Sequence, residues 1–336
     1  MSGRPHTALA MWPDSAEAVF DEATLRALGE VGDLASTEVL HDFTTDHARA
    51  ALAQVEVLVT GWGCPRLTAA VLAGAPRLRA VVHTGGSVRD LVTPECWDRG
   101  VVVSSAAVAN ALPVAEYTLA MILLTGKRVL ERARDHRVER RADDWLHTSK
   151  AIGNHGRTIG VLSASMIGRR VVELLRPFDF HVLLHDPFAT DADAAALGVE
   201  PVDLGELFAR SDLVTVHTPL LPETRGLISR ELIAAMPAGA VLLNTARGAV
   251  VDQDALTEAV RDKRIRAVLD VTDPEVLPPD HPLWDEDDVL ITPHLAGSQG
   301  NEWRRLADTA VAEVGRWGRG EEFAHPVRRE LFGQLA

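Results

Sequence analysis

The sequence predicts an α/β fold built from parallel sheets that helices cover on both faces. Ten short runs rich in Val, Ile and Leu alternate along the chain with segments whose apolar residues recur at helical spacing. The runs are too uniformly apolar to have one buried and one solvated face, as antiparallel strands commonly do. Strands and helices in repetition, with strands apolar on both faces, are typical of parallel sheets buried on both sides.

The predicted strands follow one another along the whole chain. They span residues 7–11, 55–60, 78–82, 101–104, 158–163, 181–186, 213–217, 240–244, 267–270 and 289–292. Amphipathic segments such as 15–28 and 166–176 lie between them and are predicted helices. Ten strands fit two sheets better than one, and a length of 336 residues also favours two domains.

Two long helical segments indicate how the domains are joined. The longer one starts after Leu112, where Pro113 suits the first turn of a helix, and runs towards Arg141. A second one, 299–316, follows the last predicted strand. We therefore expect the first helix to connect two lobes and the C-terminal helix to return to the first lobe.

Composition excludes several classes of protein. A formal net charge of −14 argues against nucleic acid or an anionic membrane as the main partner. No uninterrupted run of 18 apolar residues is present, which predicts no membrane span, and the N-terminus lacks the apolar core of a secretion signal. Cys64 and Cys96 are too few for a disulfide framework, and no metal-ligand spacing occurs. A cytoplasmic protein without a metal is expected.

The segment 158–186 has the order of a dinucleotide-binding βαβ unit: strand, tight turn, helix, strand. The glycine fingerprint would need glycines at 163, 165 and 168, but the chain has Ser163, Ser165 and Gly168. Asp186 lies 18 residues after Gly168 and closes the second strand, where an acid binds the adenosine ribose. With no Arg just after Asp186, NAD is favoured over NADP. A turn that binds no ligand is the alternative interpretation.

Three ionisable side chains follow the carboxyl ends of predicted strands: Arg247, Glu275 and His294. Those ends form the edge of a parallel sheet where ligands bind. Arg247 offers a planar fork for a carboxylate or a polarised carbonyl. His294 can exchange a proton with a hydroxyl or carbonyl oxygen, and Glu275 can orient the imidazole and favour its charged form. Together they suit the oxidation of a 2-hydroxy acid.

With these motifs the chain resembles the D-isomer-specific 2-hydroxyacid dehydrogenases over nearly its whole length. Further matching stretches are 99–103, 110–116 and 216–224. The resemblance implies a substrate domain formed by 1–112 and 298–336, and an NAD-binding Rossmann domain formed by 113–297. It also implies a homodimer and a cleft that closes over a small 2-oxo or 2-hydroxy acid. Glu275 indicates a hydroxy acid, since formate dehydrogenases of the family pair Gln with the catalytic His.

The resemblance also implies a role for each matching residue. Arg247, Glu275 and His294 form the catalytic trio. The cofactor-binding residues are Ser163, Ser165, Met166, Ile167, Gly168, Asp186, His217, Thr218, Thr245, Asp270 and Gly297. The substrate-binding residues are Gly85, Gly86, Ser87, Asn110 and Arg247, with 85–87 forming an anion nest. Trp62, at a position where this chain departs from the family, is a further candidate for substrate binding.

The loop 61–66 separates the candidate substrates. Family members that act on 3-phosphoglycerate carry Arg residues there, whereas this chain has Trp62 between two glycines. Trp62 either caps a bulky apolar substrate side chain or is a packed core tryptophan. The chain also ends soon after the C-terminal helix, which predicts no regulatory domain.

The leading hypothesis is an NAD-dependent reductase of a 2-oxo acid. The alternative is a dehydrogenase for a phosphonate or phosphorylated 2-oxo acid, with Arg66, Arg89 and His83 supplying the anion site. A third hypothesis is a nucleotide-sensing scaffold without catalysis, which the two missing glycines suggest.

Overall fold

The computed structural model describes residues 3–34, 36, 38–141 and 145–334. The chain divides into two compact units, unit 1 formed by 1–111 and 298–336, and unit 2 formed by 112–297.

The described residues contain twelve strands in chain order. They are β1 (His6–Ala10), β2 (Asp33–Leu34), β3 (Val57–Thr60), β4 (Ala80–His83), β5 (Val102–Ser105), β6 (Thr158–Leu162), β7 (His181–His185), β8 (Glu200–Pro201), β9 (Leu213–Val216), β10 (Val241–Asn244), β11 (Arg266–Leu269) and β12 (Val289–Ile291). Unit 1 has a sheet in the order β2-β1-β3-β4-β5, and unit 2 one in the order β12-β11-β10-β9-β6-β7-β8. Every pair of neighbouring strands in both sheets is parallel.

The α-helices of the same residues lie between the strands. They are α1 (Pro13–Val19), α2 (Glu22–Val31), α3 (Asp46–Leu52), α4 (Ala69–Gly74), α5 (Pro94–Asp98), α6 (Ala107–Gly126), α7 (Val129–Glu139), α8 (Met166–Leu175), α9 (Asp191–Leu197), α10 (Leu204–Arg210), α11 (Arg230–Ala235), α12 (Gln253–Arg261) and α13 (Trp303–Gly318). Short 3₁₀ turns cover Trp145–His147, Gly248–Val250, Pro282–Trp284, Gly300–Glu302 and Arg329–Gln334.

Both faces of each sheet are buried, which confirms the predicted fold class. In unit 1, Leu58 and Val81 belong to one apolar cluster, while Val57 and Val82 belong to another. Successive strand residues point to opposite faces, so the two clusters lie on the two sides of the sheet. The strands of unit 2 are likewise shared between separate clusters. This burial is why the strands have no polar face in sequence.

All ten predicted strands are present, with ends shifted by one or two residues. The two strands that the sequence did not predict, β2 and β8, are two residues long and lie at sheet edges. A strand of two residues is too short to show a hydrophobic pattern in the sequence. It forms because a neighbouring strand offers hydrogen bonds.

Three helix predictions need correction. Helix α6 starts at Ala107, so Pro113 lies inside it rather than in its first turn. The stretch towards Arg141 is two helices, because Arg128 adopts a left-handed conformation with φ +53° between them. The predicted helix 15–28 is also two, since the Asp21 carboxylate accepts a hydrogen bond from the Thr24 N–H and caps α2.

Among the described residues, α6 is long and apolar enough to cross a membrane by length and composition. This is weak evidence, because the core helix of a folded domain passes the same test. Two of its residues, Ala115 and Ile122, lie in the apolar core beside β6.

Candidate active site

The sheet of unit 2 has a crevice at the carboxyl ends of β6 and β9. On one side of β6 the sheet continues with β7 and β8, and on the other side it continues with β9, β10, β11 and β12. In doubly wound sheets, nucleotides bind outside the carboxyl ends at this reversal of strand order. The turn 163–168 follows β6, and His217 and Thr218 follow β9, so the predicted cofactor residues flank the crevice.

The turn after β6 adopts the shape of a dinucleotide-binding turn despite the missing glycines. Ser163, at the first glycine position, has φ +84°, a conformation that is strained for a residue with a side chain. Gly168, at the third position, must remain glycine, since a Cβ there would lie 2.1 Å from the Ser163 carbonyl oxygen. The close approach of helix and strand is therefore kept, and the strain at Ser163 explains why glycine is the more common residue.

Ser165, at the second glycine position, is the N-cap of α8. Its hydroxyl oxygen accepts a hydrogen bond of 3.3 Å from the Gly168 N–H. Ile167 packs against the apolar core of unit 2, while the Met166 side chain is half-exposed at the start of the helix. The amino end of α8, with its positive partial charge, faces the edge where a pyrophosphate would bind.

Asp186 follows β7 and is held by the same turn. One carboxylate oxygen accepts hydrogen bonds from the Ala164 N–H at 2.7 Å and from the Ser163 hydroxyl at 3.2 Å. The other oxygen accepts from the Phe188 N–H at 2.7 Å. Ser163 thus helps to orient Asp186, the residue that the sequence analysis predicts to bind the adenosine ribose.

Two buried polar atoms after β9 lack a hydrogen-bond partner among the described residues: His217 Nδ1 and Thr218 Oγ1. The other ring nitrogen of His217 is 3.0 Å from the Thr215 hydroxyl, and burial lowers the pKa of His217 to about 3. A ligand with hydroxyl and phosphate oxygens would satisfy such atoms. Together with the amino end of α8 and Asp186, they fit a dinucleotide.

Arg247, Glu275 and His294 follow β10, β11 and β12, three neighbouring strands of the sheet of unit 2. The Asn244 side chain shapes the turn that carries Arg247, donating to the Arg247 carbonyl at 2.9 Å and accepting from the Ala246 N–H at 2.9 Å. A Cβ on Gly248 would lie 2.0 Å from the Thr272 carbonyl carbon. Glycine at 248 therefore lets the loops after β10 and β11 touch.

Glu275 and His294 form a hydrogen-bonded pair, with 2.6 Å between Glu275 Oε1 and His294 Nδ1. The Thr272 hydroxyl donates to the Glu275 carbonyl at 3.0 Å and so shapes the loop that carries the acid. His294 has φ +53°, and its N–H donates to the Asp270 carbonyl at 3.0 Å. Both side chains are about half exposed, so the pair is accessible to a substrate.

Asp270 is buried and receives three hydrogen bonds from the loop that carries His294. They come from the Thr292 hydroxyl at 2.6 Å, the Leu295 N–H at 2.9 Å and the Ala296 N–H at 3.0 Å. Tyr117 extends this network, with its hydroxyl 2.9 Å from that of Thr292. Asp270 thus organises the histidine loop, a structural role that the sequence analysis did not assign to it.

Two more predicted cofactor residues lie at the same edge of unit 2. Thr245 is buried after β10, with its hydroxyl 3.5 Å from that of Thr118, and Gly297 is the last residue of the unit. The sequence analysis missed Asn244, Thr272 and Tyr117. The position of a polar residue just after or at the end of a strand is a signal that could have pointed to Asn244 and Thr272. Their hydrogen-bond partners, however, are known only once the path of each loop and the order of the strands are known. No group of three metal-ligating side chains occurs in the described ranges.

In unit 1, the predicted anion-binding loop 85–87 follows β4. The N–H groups of Gly85, Gly86 and Ser87 donate to no backbone carbonyl among the described residues, so they are available to an anion. Asn110 borders the loop: its amide nitrogen would lie 3.6 Å from a Cβ on Gly86, and its amide oxygen accepts from the Ser298 N–H at 2.9 Å.

His83 lies beneath this loop rather than on its surface. It is 6% exposed, its Nδ1 is 3.0 Å from the Thr60 hydroxyl, and the ring hydrogen-bonds to the backbone of Ser87. A Cβ on Gly85 would lie 2.6 Å from His83 Nε2. The hypothesis that His83 contacts an anionic substrate is therefore not supported by its position, and the imidazole serves to support the loop.

The buried imidazole should make folding sensitive to acid. Burial lowers the pKa of His83 to about 4, whereas an unfolded His titrates near 6.5. The unfolded chain then binds more protons, so stability falls as the pH drops from about 6.5 towards 4, by about 2 kcal/mol between pH 7 and 5. Urea unfolding of the wild type and of His83→Gln at both pH values measures this. The free energy of unfolding should fall more in the wild type than in the variant. In the variant, His217 and the remaining titratable groups are the sources of the pH dependence that are left. Equal losses would refute the assignment.

The fold and the crevice define unit 2 as a dinucleotide-binding domain of the doubly wound class. Residues 119–296 match the model of the D-isomer specific 2-hydroxyacid dehydrogenase, NAD binding domain. The chain belongs to the D-isomer-specific 2-hydroxyacid dehydrogenase family, and the prediction of NAD as its cofactor is confirmed at the level of this domain.

Relatives of the chain bear out this membership. It is 33% identical over 318 residues to a D-3-phosphoglycerate dehydrogenase of Methanocaldococcus jannaschii, covering 94% of this chain and 56% of the relative. It is 34% identical to a glyoxylate reductase of Aeropyrum pernix, covering 79% and 81% of the two chains. The structure of a D-lactate dehydrogenase from Aquifex aeolicus complexed with NAD and lactic acid aligns with a TM-score of 0.70 at 26% identity, covering 94% of this chain and 96% of that one. The chain spans about half the length of the phosphoglycerate dehydrogenases it matches.

Proposed function

We propose that this protein is an NAD-dependent D-2-hydroxyacid dehydrogenase that acts as a reductase of 2-oxo acids. The observation that carries the proposal is the 2.6 Å hydrogen bond between Glu275 and His294. These residues follow β11 and β12, and Arg247 follows β10, so the three come after consecutive strands of one sheet. An acid–base pair and a guanidinium at one edge of a dinucleotide-binding sheet supply the groups that carbonyl reduction needs. We assign 113–297 as the NAD-binding domain and 1–112 with 298–336 as the substrate domain.

The His–Glu pair determines where the reacting proton is held. A Glu275 carboxylate can only accept a hydrogen bond, so His294 carries a proton on Nδ1 and exchanges the other one at Nε2. In the reducing direction, Nε2–H of the imidazolium donates its proton to the carbonyl oxygen of the substrate, which leaves a neutral imidazole. NADH, when bound, supplies the hydride that C2 of the 2-oxo acid accepts from nicotinamide C4.

Each unit offers hydrogen-bond donors that suit an anionic substrate: Arg247 in unit 2 and the loop 85–87 in unit 1. The guanidinium of Arg247 suits the carbonyl and carboxylate oxygens, because it donates two parallel hydrogen bonds. In unit 1, the N–H groups of 85–87 suit a carboxylate oxygen, since they donate to no backbone carbonyl within the described ranges.

The names of the relatives favour a second candidate substrate, a phosphorylated 2-oxo acid. The loop 61–66 argues against it, because the loop contains a single cation, Arg66, together with the exposed indole of Trp62. A phosphate dianion is bound by guanidinium or amide donors that are free to reach it.

The oxidation of NADH and of NADPH with a series of 2-oxo acids tests the proposal. The series runs from glyoxylate and pyruvate through phenylpyruvate and branched acids to hydroxypyruvate, its phosphate and phosphonopyruvate. We expect turnover with NADH and at least ten-fold lower kcat/KM with NADPH, because Asp186 would repel a 2′-phosphate. NADH binding without turnover of any acid would instead support a nucleotide-sensing scaffold. We further propose that the protein is cytoplasmic and that it forms a homodimer. Size-exclusion chromatography with light scattering would measure the mass of the assembly and so check the homodimer.

A further inference from the structure

Unit 1 has its own reversal of strand order, between β1 and β3. This is the flavodoxin-like arrangement, in which ligands also bind outside the carboxyl ends at the reversal. The residues that follow these two strands are tryptophans: Trp12 comes two residues after β1, and Trp62 two residues after β3.

Both indoles are exposed, in contrast to other tryptophans of this unit. Trp12 is 60% exposed and Trp62 is 42% exposed, whereas Trp97, Trp303 and Trp317 pack against the apolar clusters. The interpretation of Trp62 as a packed core tryptophan is therefore wrong. Two exposed indoles that follow neighbouring strands offer apolar surface at this edge of the sheet.

The two tryptophans are held by their neighbours. The Trp12 N–H donates to the Trp62 carbonyl at 2.9 Å. Gly63 has φ +83°, and a Cβ on it would lie 2.1 Å from the Trp12 ring, so one indole face rests on the glycine backbone. No other residue at 63 would leave room for the Trp12 ring in this position.

The tryptophans are next to the anion-binding loop. A Cβ on Gly61 would lie 2.9 Å from the Thr84 hydroxyl, which places the loop after β3 against the start of the loop after β4. Neighbouring strands are about 5 Å apart. A carboxylate bound to the N–H groups of 85–87 would therefore have its side chain within reach of Trp62, and of Trp12 one strand further on.

We propose that Trp12 and Trp62 form the side-chain subsite of this enzyme and select 2-oxo acids with an aromatic side chain, of the phenylpyruvate type. Aromatic rings bind indoles through offset or edge-to-face contacts, and the subsite offers no cation for a phosphate. The proposal depends on the proposed function, because the carboxylate is placed on the loop 85–87.

The ratio of kcat/KM for phenylpyruvate to that for glyoxylate measures the selection. We expect the wild type to favour phenylpyruvate, and Trp62→Ala and Trp12→Ala to lower the ratio by roughly ten- to hundred-fold each. Trp62→Phe should retain most of the selectivity, because it keeps an aromatic face. Trp317→Phe, a substitution in α13 of the same unit, is the matched control and should leave the ratio unchanged. Thermal unfolding checks that each variant is folded.

Binding provides a second measurement that does not depend on turnover. D-Phenyllactate should quench the tryptophan fluorescence of the wild type saturated with NADH, a combination of hydroxy acid and reduced cofactor that cannot react. This quenching should be lost in the Trp12→Phe, Trp62→Phe double variant. A wild type that favours glyoxylate or phosphohydroxypyruvate, or an unchanged ratio in Trp62→Ala, overturns the subsite. If no 2-oxo acid is reduced, the proposed function fails, and the absence of quenching by D-phenyllactate then overturns the subsite separately.

Discussion

Replacing His294 with alanine is expected to lower kcat for the reduction of a 2-oxo acid by about 10²–10⁴-fold, the range typical of general acid–base catalysis. The variant removes the Nε2 proton donor and leaves Glu275 without its partner. The affinity for NADH should change little, because the predicted ribose and pyrophosphate contacts lie on the turn after β6. Steady-state kinetics and a fluorescence titration with NADH measure the two quantities.

The chain contains a matched control for this substitution. His181 also pairs with a glutamate, its Nε2 being 2.7 Å from Glu200 Oε2, and it is similarly exposed. It begins β7, so it lies at the amino end of a strand, away from the edge that carries the site. His181→Ala should leave kcat within about two-fold of the wild type. An exposed pair of this kind contributes little to stability, and it lies away from the candidate site. Undiminished turnover in His294→Ala would exclude the assigned acid–base role.

Replacing Arg247 with lysine is expected to lower kcat/KM by about 10²–10³-fold, although the charge is kept. Charge-assisted hydrogen bonds contribute about 1.5–3 kcal/mol each, and lysine cannot reproduce the planar pair that a guanidinium donates. The loss should appear in both kcat and KM, because the same fork would bind the carboxylate and the polarised carbonyl. Arg247→Ala should be at least as impaired.

Arg230→Lys is the control for that substitution. Arg230 is an exposed arginine of α11 whose guanidinium pairs with Glu258 of α12. Its kcat/KM should equal that of the wild type. An Arg247→Lys enzyme with wild-type kinetics would show that the guanidinium geometry is not used, and substrate binding would then have to be assigned elsewhere.

The three loops proposed to carry catalysis show how far sequence reasoning extends. Arg247, Glu275 and His294 could be placed at strand ends from hydrophobic runs alone, and the parallel sheet brings such ends to one edge. The hydrogen bond between Glu275 and His294 was expected and is present. The groups that shape these loops, such as Asn244 and Thr272, were not predicted, because their partners lie within turns whose backbone path no periodicity reveals.

The turn after β6 shows the opposite limit. Ser163 and Ser165 stand where the glycine fingerprint has glycines, and this departure favours a turn that binds no ligand. In the structure Ser163 accepts the left-handed conformation and donates to Asp186, and Ser165 caps α8. The shape of a turn is set by both strands and the helix that it joins, so the two missing glycines are tolerated where neighbouring groups hold the turn in place.

Local pattern determined the class of this protein: apolar runs of strand length, helical spacing between them, and polar residues where each run stops. These properties depend on near neighbours in the chain and can be recognised without a structure. Only the tertiary structure decided that His83 supports the anion loop from below, that Asp270 organises the histidine loop, and that Trp12 and Trp62 are both exposed after neighbouring strands. The physical reason is that burial and hydrogen-bond partners depend on which strands are adjacent, and strand order is a property of the whole chain.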